Sequence, residues 1–226
     1  MRGRNRVQLN MGQKAAQFCR EHPDPNPATA QVAERLFPLV DRAAVLTAQR
    51  QASQAVVAAA VGTKAELRAV IEDQVRALFG VARAAAQDHP EVAVHRRSTT
   101  LPRNETTMLT SARVGVAEAQ AAIATLGPYG LVAEDLTALT ANLDAYEAAL
   151  TRQRAAASAQ VTASAELADV LGDIMAVVRN LDAVHRSRFR TTPELLTAWK
   201  SARHVAWPGP DPEPVTEPAA SGPRAA

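Results

Sequence analysis

The apolar positions of this chain fall into long seven-residue series. Leu136, Leu143, Leu150, Ala157, Ser164, Leu171 and Val178 form one series. Leu139, Tyr146, Gln153, Gln160, Leu167, Ile174 and Leu181 form a second, offset by three. This is the a/d pattern of a long helix whose narrow apolar stripe packs on other helices. It predicts one helix over residues 134–189, with Gly172 the only glycine and no proline inside it. At about 1.5 Å per residue such a helix would span roughly 80 Å.

A second long pattern covers residues 28–87. Leu36, Ala43, Val57, Ile71 and Leu78 share one series, and Leu39, Leu46, Ala60, Leu67 and Val81 its partner. Arg50 and Lys64 interrupt the first, Ser53 and Gln74 the second. Gly62 followed by Thr63-x-x-Glu66 has the form of a helix stop and a capping box. The apolar stripe nevertheless keeps its phase on both sides, which favours one continuous helix with a weak point at Gly62. Pro38 predicts a kink near the start. Both long helices lose their seam near the middle, over 50–64 and 153–164. Side by side, these layers would make a polar, Ala-lined waist, read either as a loosely packed, register-fixing stretch or as a bend or partner site.

The remaining elements are short. In residues 1–22, Val7, Met11, Ala15 and Phe18 share a helical face beside Arg2, Arg4, Arg6, Lys14 and Arg20, so a basic amphipathic helix is expected. Its docking on the bundle is favoured over a membrane or nucleic-acid arm. The His22-Pro23-Asp24-Pro25-Asn26-Pro27 segment is a stiff linker. After a loop over 91–104, Asn104 or Thr106 caps a helix over 105–126, and Gly127-Pro128-Tyr129-Gly130 turns the chain. Thr192-Pro193-Glu194 starts a last short helix anchored by Leu195, Leu196 and Trp199. The expected fold is therefore all-α: an elongated antiparallel helical bundle on two long heptad-patterned helices, with short N- and C-terminal helices. The expected domains are a basic helix at 1–22, the bundle at 28–205 and a disordered proline-rich tail at 206–226.

Composition changes this picture little. Aromatics make up 4% of the 226 residues, which suits thin, closely packed helices. The net charge of +2 decides nothing about nucleic acid, so only local clusters count. Cys19 is the single cysteine; it forms no intramolecular disulfide and is expected to pack as a small apolar residue. No apolar run is long enough to cross a bilayer and no secretory signal is evident, so the chain reads as cytoplasmic.

Catalytic and metal motifs are missing from the sequence. Asp182-x-x-His185 is the nearest approach to a di-iron ligand pair, while Glu166, Asp169 and Asp173 read as a solvated acidic stripe. His185 falls on the seam and reads as a packed histidine. No catalytic, cofactor-binding or metal-binding residue is assigned, no cofactor is expected, and the chain is read as a non-enzyme. One basic patch is a candidate: Arg96, Arg97 and Arg103 in the 91–104 loop with Arg186, Arg188 and Arg190 at the end of the second long helix, able to hold phosphates if the two groups meet. Cations at a helix C-terminus are also favoured by its dipole alone.

The stretch His185-Arg186-Ser187-Arg188-Phe189, continued by Pro193-Glu194-Leu195-Leu196-Thr197-Ala198-Trp199, together with Ala16-x-Phe18-x-Arg20-x-His22-Pro23, resembles a family of uncharacterised bacterial all-helical proteins. The resemblance implies the helical architecture and no site residues. The function expected is that of a non-catalytic helical interaction or structural protein, with a protein partner or self-association. The alternative is nucleic-acid or anionic-surface binding through the arginine clusters.

Overall fold

The computed structural model describes residues 3–92, 94 and 100–204. The fold is all-α. The described helices are α1 (Gly3–Glu21), α2 (Pro27–Ala85), α3 (Glu105–Ala121), α4 (Ile123–Leu126), α5 (Ala133–Arg188) and α6 (Pro193–Ala202). A 3₁₀ turn, Gly127–Tyr129, leads from α4 towards α5. α2 is continuous through Gly62, as the unbroken phase of its apolar stripe requires. Pro38 lies inside it.

The contacts divide the chain into two compact units, Met1–Thr47 with Ser164–Ala226, and Ala48–Ala163. Each takes one part of α2 and one part of α5, running antiparallel. In the first unit α1 and α6 complete the packing. Leu36, Ala43 and Leu46 of α2, Leu167, Leu171, Ile174 and Leu181 of α5, Met11 and Phe18 of α1 and Trp199 of α6 are buried. Gly12 is needed here, because a Cβ at that position would stand 2.8 Å from Ile174 Cγ2. The missing side chain lets α1 lie close to α5.

In the second unit α3 is the third helix. Ile71, Val75, Leu78 and Phe79 of α2, Met108, Leu109 and Ala112 of α3, and Leu136, Leu139, Leu143 and Tyr146 of α5 form one buried cluster. The N-terminus of α3 is capped as expected: Asn104 Oδ1 accepts from the Thr107 backbone N–H at 3.1 Å. Glu105 pairs with Lys64, and the Arg68 guanidinium donates to the carbonyls of Pro102 and Arg103. Arg113 bridges α3 to Asp144 and Glu147 of α5.

One local expectation changes, and two caps differ in detail. The helix expected over 105–126 ends at Ala121 and restarts as α4, because Ala122 leaves helical geometry at φ −103°, ψ 13°. Gly127 is right-handed at φ −55°. The left-handed residue is Gly130, at φ 100°, since the 3₁₀ turn containing Pro128 postpones the reversal by three residues. Thr192 precedes Pro193 at the start of α6 but makes no side-chain capping bond. The tail expected at 206–226 lies outside the described residues. Among those described, no helix is long and apolar enough to cross a membrane.

Candidate functional site

Two places hold chemistry or surface that packing alone does not use up. The first is a buried aromatic cluster in the unit containing α1. The a-series of α5 brings His185 inward, the end of α1 brings Phe18 and Cys19, and α6 folds Trp199 back. The His185 ring lies 4.5 Å from Trp199 and 5.6 Å from Phe18, centroid to centroid, and stacks on Phe189 at 5.3 Å. His185 is 2% exposed. Its Nε2 is 3.7 Å from Cys19 Sγ, and its Nδ1 is buried without a partner.

A cysteine beside a histidine is the arrangement of a thiolate nucleophile, but the surroundings oppose ionisation. Burial pushes the Cys19 thiol up to about 11, against the Arg188 charge. Burial also lowers His185 from 6.5 to about 4, assisted by Arg188 and resisted by Asp24 and Asp182. Both groups are neutral at pH 7. An activated pair needs the opposite, a depressed thiol and a basic imidazole. This pair acts as a packed core contact.

The polar groups around it fix helix ends. Trp199 Nε1–H donates to Asp182 Oδ1 at 3.0 Å. Arg186 and Arg203 also reach the Asp182 carboxylate, at 3.0 and 2.9 Å. Arg188 donates to the carbonyls of His22 and Pro23 and lies 3.5 Å from Asp24. It thereby ties the proline linker to the end of α5. The expected basic patch is thus only partly placed. Arg186 and Arg188 have partners in their own unit, Arg190 is exposed, and Arg103 belongs to the other unit. Arg96 and Arg97 lie outside the described residues. Among those described, no group of three or more His, Cys, Asp or Glu could hold a metal ion.

The second place is the stretch of α2 and α5 where both seams fail. Val56, Ala59, Ala60 and Thr63 of α2 lie beside Ala149 and Arg152 of α5, so within the second unit the weak layer of α2 meets α5 just before the weak layer of α5 begins. Over 51–63 only Ala60 is buried, and over 151–163 only Ala163. Val61 is 48% exposed and Val161 70%. Neither 51–63 nor 155–163 contains a charged residue. The chain as a whole is 21% charged, so exposed helix of that length would ordinarily carry several charges.

The sequence located this stretch as a waist and His185 as a seam histidine. It did not pair His185 with Cys19. No local signal spans that separation, and Cys19 is legible only as one more residue on the inner side of α1. The basic patch was chosen from charge alone; of its members, Arg188 is engaged with the backbone carbonyls of His22 and Pro23. Compared with family models, curated proteins and solved structures, the chain gives no match.

Proposed function

We propose that this chain is a non-catalytic interaction protein whose working surface is the uncharged α2/α5 stretch of its second unit. The observation that carries this reading is the combination of exposure and missing charge over 51–63 and 155–163. Solvent-facing helix elsewhere in the chain carries ion pairs such as Arg42–Glu166 and Arg76–Asp73. Apolar side chains left on a surface without charge mark places where another molecule sits. The neutral, enclosed Cys19–His185 pair supports the non-catalytic part, since the nearest approach to a reactive constellation is held in its unreactive state.

The test is site-specific photo-crosslinking in extract of the source cells, with benzoylphenylalanine at Val161 and, as control, at exposed Asp169. A discrete adduct at Val161 and none at Asp169 is expected. Equal labelling at both positions, or no adduct at Val161, would sink the reading.

A further inference from the structure

We infer that the uncovered α2/α5 face takes an amphipathic helix with a small apolar stripe and acidic flanks, seated as a third helix in line with α3. The inference rests on the interaction reading above and adds the chemistry of the partner.

Register comes first. Val57 and Val61 stand two heptads upstream of Ile71 and Val75, which are buried in one cluster with α3 residues. On α5, Ala157 and Val161 stand two heptads beyond Leu143 and Glu147. Leu143 shares a cleft with Arg113 and Val116 of α3, and Glu147 pairs with Arg113. The face that α3 covers therefore continues, in phase, along both long helices. The cover stops at Lys64, because α3 begins at Glu105 beside it. Val75 is 1% exposed under α3, whereas Val61 is 48% exposed beyond it.

Charge then selects the occupant. No Asp or Glu occurs between Asp41 and Glu66 or between Glu147 and Glu166. Arg50 and Arg154 lie in the same register as the α3-facing positions Ile71 and Thr140. Arg50 Nε is buried and makes no hydrogen bond. An isologous pair of this chain would bring the same arginines together with no acid to receive them, so a second copy is disfavoured. A bilayer is a poorer fit as well, since interfacial helices insert Trp, Phe or Leu, and this face offers Val and Ala. Small residues suit the close approach of another helix. Carboxylates on its flanks would meet Arg50 and Arg154.

The experiment uses the full chain and two designed helical peptides with the same Ala/Leu stripe, one flanked by Glu and one by Lys, titrated by calorimetry. The Glu peptide should bind, and the Lys peptide should bind about tenfold or more weakly. The double variant Arg50→Glu/Arg154→Glu should invert that preference. Should the partly buried Arg50 change disturb folding, Arg154→Glu alone, on an exposed position, should still narrow the gap. Equal binding of both peptides, or binding of neither, overturns the inference. So does a dimer in light scattering that Val161→Glu disperses, which would give the face to a second copy. Binding to phosphatidylserine vesicles in place of the peptide would give it to a lipid surface and overturns it too. A discrete Val161 crosslink with no Glu-peptide binding would refute the partner chemistry and leave the interaction reading standing.

Discussion

Replacing His185 with phenylalanine should remove an acid sensitivity from the unit that holds α1. His185 is packed among Phe18, Phe189 and Trp199 with no hydrogen-bond partner at Nδ1, and its pKa falls to about 4. Because the folded value lies below the unfolded value of about 6.5, the neutral ring is the folded form. Its contribution is complete above about pH 6.5 and is lost as the pH falls toward 4. The charged groups facing the ring do not reverse this: Arg188 lowers the value further, Asp24 and Asp182 raise it, and burial outweighs them all. Linkage then costs the wild type about 2 kcal/mol between pH 7 and about pH 4.5. The assay is urea unfolding followed by far-ultraviolet circular dichroism at both pH values, for wild type and His185→Phe. Other carboxylates titrate in both proteins, so the difference between them isolates the imidazole. The variant should lose about 2 kcal/mol less than the wild type over that interval. Equal losses would refute the claim that the ring is held neutral by its surroundings.

Glycine positions should respond in opposite directions. Gly62→Ala adds a Cβ with nothing within 4 Å in the middle of an exposed helix, so it should stabilise by about 1 kcal/mol in a urea titration. Gly12→Ala drives a Cβ against the stiff, β-branched Ile174 and should cost about 1–3 kcal/mol by the same method. Trp199→Phe loses the bond to Asp182 and part of a fully buried ring; a loss of about 1–3 kcal/mol at unchanged m-value is expected. In hydrogen exchange, amides over 51–63 and 155–163 should open about a hundredfold faster than those over 71–82 and 136–147, because few buried contacts hold them. Uniform protection along α2 would contradict that.

The heptad series made most of this fold legible. Every predicted a or d residue of α5 from Leu136 to Leu150 and from Leu167 to His185 that is apolar or histidine is buried, and those between are not. Period-seven burial is a property of neighbouring turns, so a single sequence records it. The break at Ala122 and the left-handed Gly130 were illegible because they depend on how the turn after α3 closes, and alanine offers no local signal. The Cys19–His185 contact depends on α1 docking on the end of α5, a long-range event with no periodic trace. The waist was visible as two interrupted seams. Interruption alone does not distinguish a loosely packed, register-fixing stretch from a bend or partner site.

What separates those two readings is the choice of residues on the outside. Exposed helix can be made soluble with charge, and this chain does so elsewhere: Arg76 with Asp73 on α2, and Arg42 of α2 with Glu166 of α5. Such pairs add about 0.3–0.5 kcal/mol each and keep water-facing helix from sticking. Over 51–63 and 155–163 the chain uses Ala, Val, Ser, Thr and Gln instead. Alanine keeps helix propensity high, so α2 stays continuous there, but it contributes little burial between the two long helices. A segment that is helical, exposed and uncharged holds its shape without holding itself together strongly. Covering Val57, Val61 and Val161 would supply the missing apolar contact, and Arg50, whose buried Nε makes no hydrogen bond, supplies a reason for the cover to be acidic.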